Sequence, residues 1–159
     1  MRNFKHAFTM IELIFVIVIL GILSAVAFPK LSGITKDANL AQGMATVSAI
    51  RSAIVSERQR NLIKGVAKFP DYLDDASTAS GEKLFDGNST EISILQYPIY
   101  SSKDQGGWMK TSANGATTTY KFYFDANNEG TAVIFTYTKA TGIFDCTHTA
   151  NSNCVEMVE

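Results

Sequence analysis

The sequence predicts an α+β protein, one long N-terminal helix packed on a small antiparallel β-meander. Three observations predict it. An apolar run carrying one acid, FTMIELIFVIVILGILSAVAFP, begins at Phe8. Behind it, a stretch ending near Gly65 repeats apolar residues at three- and four-residue steps. Near the C-terminus, runs rich in β-branched and aromatic residues alternate with turn residues.

With 159 residues there is room for one domain and a long helical extension. Mean hydropathy is close to zero, +0.05, and hides a split between one very apolar segment and a polar remainder. Net charge is −1, unevenly spread. Arg2 and Lys5 make residues 1–7 basic. Residues 30–65 carry six Lys and Arg against Asp37 and Glu57, and residues 66–159 carry six against twelve acids. The acidic C-terminal region argues against nucleic acid as its partner, because neutralising phosphate needs Lys and Arg. Cys146 and Cys154 read as a disulfide in an exported chain and as two thiols in a cytosolic one.

The apolar run is the segment able to cross a membrane. Counted from Phe8 to Phe28 it would span roughly 31 Å as a helix, about one hydrocarbon core. Three readings compete. Basic start, apolar run and Ala25-Val26-Ala27 form a signal peptide cut after Ala27. The same run can serve as an uncleaved anchor. The third reading is a membrane helix processed before Phe8. Glu12 separates them. A carboxylate within an apolar span costs about 2.5–3.5 kcal/mol, less near the interface. A signal peptide or plain anchor gains nothing from it. If the leader is cut before Phe8, a free α-amine appears one turn from Glu12. The two charges can then pair within one chain or between neighbours. Pairing between subunits makes lateral association relieve a buried charge.

Ala7-Phe8-Thr9-Met10-Ile11-Glu12-Leu13, the apolar run behind it, Gly21 and Pro29 together resemble the N-terminal signature of type IV pilins and type II secretion pseudopilins. The resemblance covers about 22 residues, Phe8 to Pro29. It implies a leader of residues 1–7, cleavage between Ala7 and Phe8 by a prepilin peptidase, and N-methylation of Phe8. It also implies an assembly role for Glu12. Ala7 departs from the glycine usual in that family. The resemblance further implies a bacterial inner-membrane protein of single pass, with its C-terminal head in the periplasm or on an extracellular filament. Lys and Arg tie on the two sides of the run and do not decide orientation.

Residues 8–29 form the expected transmembrane segment and residues 30–65 an amphipathic helix. Leu40, Met44, Val47, Ile50, Ile54 and Leu62 make its apolar stripe, with Arg51, Ser52, Glu57 and Arg60 largely off it. The helix is expected to stop near Lys64-Gly65, with glycine as the cap. Pro29 removes one backbone bond and predicts a kink. The family resemblance implies more: that Gly21 to Pro29 is a soft segment able to melt when subunits pack.

Residues 66–159 form the globular head. Its first half, 66–115, reads as irregular, with a short helix or 3₁₀ turn near residues 82–85 and a strand or helical turn at residues 92–95. Asp71, Asp74 and Asp75 read as solvated rather than as metal ligands. Residues 118–124, 131–138 and 140–147 read as three strands joined by short turns, hence an antiparallel meander. Tyr120, Phe122 and Phe124 alternate with Lys121 and Tyr123, which puts one apolar face against the long helix. Asp125, Asn127 and Glu129 resemble the start of a calcium loop. Thr136 stands where such a loop needs a bidentate Glu, so a hairpin turn is the preferred reading. Cys146 and Cys154 close the segment CTHTANSNC, similar to the disulfide-bounded C-terminal loop of pilins. His148 within it is a poor basis for a Cys-His-Cys metal site.

No nucleophile elbow, phosphate loop or zincin motif is present, and His148 by itself is no catalytic site. The expected function is a structural subunit, pilin or pseudopilin, that polymerises after leader cleavage. Its partners are copies of itself, other pilin-like subunits, the prepilin peptidase and inner-membrane assembly machinery. No metal or cofactor is expected unless calcium sits at Asp125. The alternatives are a minor pilin that captures DNA for uptake and an ordinary secreted protein cleaved after Ala27.

Overall fold

The computed structural model describes residues 8–87, 93–126, 128–147 and 152–158; the side chains of 29–33 and of Ser152 are outside that description. The chain divides into two compact units, Met1–Asp37 and Ala38–Glu159.

Helix α1 (Met10–Ile63) runs through both, without interruption at Gly21, Pro29 or Gly33. Thr9 caps its start: Thr9 Oγ1 accepts the Glu12 N–H at 3.2 Å, and Thr9 O accepts from Leu13. Gly65 closes its end at φ 81°, a conformation that costs glycine little. Gly65 N–H donates to Leu62 O and Val66 N–H to Asn61 O, the paired bonds of a Schellman motif.

In the first unit the stretch Met10–Phe28 has a mean hydropathy of 2.8 and buries none of it. Every one of its large apolar side chains is exposed among the described residues.

The second unit is a helix-on-sheet sandwich. Four antiparallel strands follow in sequence order, β3 (Trp108–Ala113), β4 (Thr117–Phe122), β5 (Val133–Thr138) and β6 (Ile143–Cys146). A two-stranded ribbon of β1 (Lys83–Leu84) and β2 (Ile99–Tyr100) lies in the preceding segment, and a short helix α2 (Ser152–Val158) follows. The inner face of the sheet buries Trp108, Tyr120, Phe122, Phe135, Tyr137 and Phe144 against Val47, Ile50 and Ile54 of α1. Gly43 sits where the helix comes closest: a Cβ there would stand 2.6 Å from Met157 Cε and 3.1 Å from the Phe122 ring.

Several expectations are corrected. The sheet has a fourth strand, β3, inside the region read as irregular. Residues 82–85 carry a strand rather than a helical turn, since Lys83 pairs with Tyr100 and Leu84 with Ile99. Residues 94–97 are bends and Ser93 has no regular structure, so neither strand nor helix forms there; Ile92 lies outside the described residues. Leu62 is exposed, because eight residues on from Ile54 it has rotated about 80° off the stripe. Glu57 and Asn61 occupy the buried positions instead, with Arg60 paired to the Glu57 carboxylate. Asp74 is buried rather than solvated, because Lys110 reaches it from β3.

Candidate functional site

The N-terminal surface is built by one helix. Phe8 and Thr9 precede its first turn, and Phe8 is exposed. Thr9 and Glu12 stand at the N-cap and third helical positions, the T-x-x-E spacing of a capping box. The cap fixes where the helix begins and presents Glu12 in the first turn, where the helix dipole favours a negative charge. Ala7 lies outside the described residues. Gly21 has open space around its Cα, with nothing within 4 Å of a built Cβ. Pro29 lies within α1. The capping role of Thr9 is what the sequence reading passed over; its capping-box spacing with Glu12 was the available signal.

Phe8 contributes a backbone nitrogen to this surface, four residues before the Glu12 carboxylate. What the surface can do chemically is associate: some 19 residues of uncovered apolar helix, with one acid at the end. At ~25 cal/mol per Å² such side chains are stable only in lipid or against other helices.

The C-terminal pair is a disulfide, Cys146–Cys154, with Cα atoms 5.9 Å apart. Cys146 ends β6 and Cys154 lies in α2, so the bond fastens α2 to the sheet edge. His148 lies outside the described residues.

Among the calcium candidates, Asp125 is exposed and Asn127 lies outside the described residues. Glu129 is engaged by cations of the protein itself. Its carboxylate accepts from Lys121 Nζ at 2.5 Å, Lys103 Nζ at 3.0 Å and Tyr123 Oη at 2.9 Å. These hydrogen bonds, Lys121's first, hold its carboxyl down at about 2. Burial, then the Glu129 contact, pushes the Tyr123 phenol up to about 12. No group of three or more His, Cys, Asp or Glu poised for a metal occurs among the described residues.

A buried polar cluster of the head is centred on Asp74. Its Oδ1 faces Lys110 Nζ at 2.8 Å; its Oδ2 accepts the Tyr120 hydroxyl at 2.7 Å and the Phe85 N–H at 3.1 Å. Burial first, and Asp74 second, push the Tyr120 phenol well above its usual 10.0. Phe85 is fully buried at φ 60°, a strained setting for a bulky residue. Its N–H on Asp74 and its carbonyl on Leu95 N–H hold it there. Beside α1, a groove lined by Ser52, Ser56, Glu57, Arg60 and Ser93 sets no serine against a base; Ser56 Oγ donates back to Ser52 O.

Two comparisons with known proteins bear on this geometry. The family model described as the prokaryotic N-terminal methylation motif matches residues 2–28. The type IV narrow pilus major component PilA5 of Thermus thermophilus is 54% identical over 107 residues, covering 65% of this chain and 90% of that protein. No solved structure matches the chain.

Proposed function

The chain belongs to the type IV pilin family, and from that premise we propose how it is matured and assembled. It is a structural subunit rather than an enzyme, as the family is, and it polymerises into pili with other pilin subunits. In our reading it is made as a precursor and inserted into the bacterial inner membrane through residues 8–29, with the head on the periplasmic side. A prepilin peptidase cuts between Ala7 and Phe8 and the new Phe8 amine is methylated. Assembly machinery in the membrane then adds the subunit to a filament. The helices form the core and the heads the outside.

The observation that carries this reading is the wholly uncovered apolar helix Met10–Phe28 with Glu12 in its first turn. Once cut, the chain holds a carboxylate and an amine that water no longer solvates. Packing against a neighbour covers the apolar surface and pairs Glu12 with a Phe8 amine. The resemblance to a pilus major component favours a pilus over a secretion pseudopilus. The soft segment from Gly21 to Pro29 remains part of the proposal, as the place where the helix adjusts on packing. Calcium is not part of it: Lys121 and Lys103 already neutralise Glu129.

The test is Glu12→Ala in cells carrying the assembly system. The variant is expected to insert and be cut like the wild type, while its filament yield falls at least tenfold. Wild-type filament yield from that variant overturns the charge-pairing step.

A further inference from the structure

The head holds a lysine and an aspartate almost out of reach of water, and the assembly proposed above assigns a role to neither. The side chains of Lys110 and Asp74 are 6% and 0% exposed. Lys110 Nζ lies 2.8 Å from Asp74 Oδ1 and 2.8 Å from Ala76 O, with Asp74 O at 3.5 Å. The two carboxylate oxygens are therefore unlike. Oδ1 faces the amine. Oδ2 sits between two fixed donors, the Tyr120 hydroxyl at 2.7 Å and the Phe85 N–H at 3.1 Å. An amine against one side of a carboxyl group, and a pair of donors on the other oxygen, is the arrangement that acyl transfer needs.

We propose that Lys110 and Asp74 condense into an intramolecular isopeptide bond between Nζ and Cγ, with release of one water. One proton passes from Nζ to Oδ1, leaving a neutral amine and a neutral acid and removing two buried charges. The Nζ lone pair attacks Cγ while the Cγ–Oδ2 π electrons move onto Oδ2. The negative charge growing there meets the Tyr120 O–H and the Phe85 N–H. A second proton passes from Nζ to Oδ1, the Cγ–Oδ1 bond breaks, and Oδ1 leaves as water while the carbonyl to Oδ2 re-forms. No oxidant, reductant or co-reactant enters. The product keeps both donors on Oδ2, and its remaining N–H still has Ala76 O as acceptor.

Three features favour the step. The reacting groups are fixed by β3 and the segment after Leu73, and fixed partners reach effective molarities of about 10⁵–10⁸ M. The raised Tyr120 phenol stays protonated and so remains a donor. The Phe85 ring, 4.7 Å from that of Tyr120 and 5.8 Å from that of Trp108, helps close the site to bulk water. The bond ties β3 to the segment that follows α1, a second covalent cross-tie beside Cys146–Cys154.

The test is intact mass of the mature full-length protein, denatured and reduced, followed by peptide sequencing of a digest. Wild type is expected to be lighter by one water than its mature sequence, with a branched peptide joining the segments of Asp74 and Lys110. The Lys110→Arg variant keeps a cation, cannot condense in this way, and is expected at full mass. Tyr120→Phe is expected as a mixture of linked and unlinked chains. A wild type at full mass overturns the proposal. So does a water loss that maps to a linear peptide, such as a succinimide at Asp86-Gly87, or one that persists in Lys110→Arg. A fully linked Tyr120→Phe removes the role given to the phenol. None of these outcomes depends on how the filament assembles.

Discussion

Glu12 and Asp74 are two carboxylates with opposite solutions to the same cost. Asp74 meets its partners inside its own chain, Lys110, Tyr120 and the Phe85 N–H. In our account Glu12 waits for a partner that cleavage creates. Glu12 was legible in the sequence, since an acid in an apolar run demands a reason. Asp74 was not, because its reason is a lysine 36 residues away. Glu129 gives a prediction on pH. Its carboxyl sits at about 2 in the folded head against an ordinary 4.5. A depressed carboxyl contributes stability that is present above its unfolded value and is lost as pH falls through the folded one. Wild-type stability is thus expected to fall more steeply between about pH 4.5 and 2 than that of Glu129→Gln, in urea titrations followed by Trp108 fluorescence. Gly142 gives a second. It sits at φ 70°, and a Cβ there would stand 2.1 Å from Phe69 Cδ1. The Phe69 ring is itself covered by the Arg58 guanidinium, 4.3 Å from its centroid. Gly142→Ala is expected to cost ~1–3 kcal/mol in the same titration.

At the scale of elements, periodicity made the helix legible and a single lysine hid a strand. The stripe Val47, Ile50, Ile54 is buried as its spacing requires. It continues through Glu57 and Asn61, which hydrophobicity alone cannot flag. Strand β3 reads WMKTSA, and its inward positions are Trp108 and Lys110. A buried lysine breaks the apolar alternation that marks a strand, and a bulge between Lys110 and Ser112 shifts the register beyond it. A turn signal was nonetheless there: Asn114-Gly115, between two β-rich runs, is a hairpin marker. Gly115 adopts φ 80° and Asn114 Oδ1 accepts the Thr117 N–H. At the other edge, β6 is capped by α1: Arg51 Nε donates to Phe144 O and Arg51 Nη2 to Asp145 Oδ1, both at 2.9 Å. This pair is more than a third exposed, so Arg51→Ala is expected to cost no more than about 1 kcal/mol. The Cys146–Cys154 bond holds α2, an element too short and too close to the C-terminus to be read from pattern. Its reduction is expected to lower stability by about 2–3 kcal/mol, seen as a shift of the urea midpoint with and without reductant.

For the whole molecule, the fold class was written in three features: apolar run, helical stripe and β-rich C-terminal segment. Each is a local pattern, and local patterns survive reading without a structure. What escaped was set by contacts distant in sequence, β1 with β2 and Lys110 with Asp74. The two units of the chain carry two kinds of stability. The head closes its own core around Trp108 and Phe144. The stretch Met10–Phe28 covers nothing of itself and is completed by a membrane or by its own kind. Membership of the type IV pilin family fixes which of these ends is reached, a filament. The identity of the first mature residue tests this account most directly, because the assembly role given to Glu12 depends on a free amine at Phe8. Mass spectrometry of the N-terminal peptide from purified filaments is expected to find N-methylated Phe8. A chain that begins at Phe28, or that still carries residues 1–7, contradicts it.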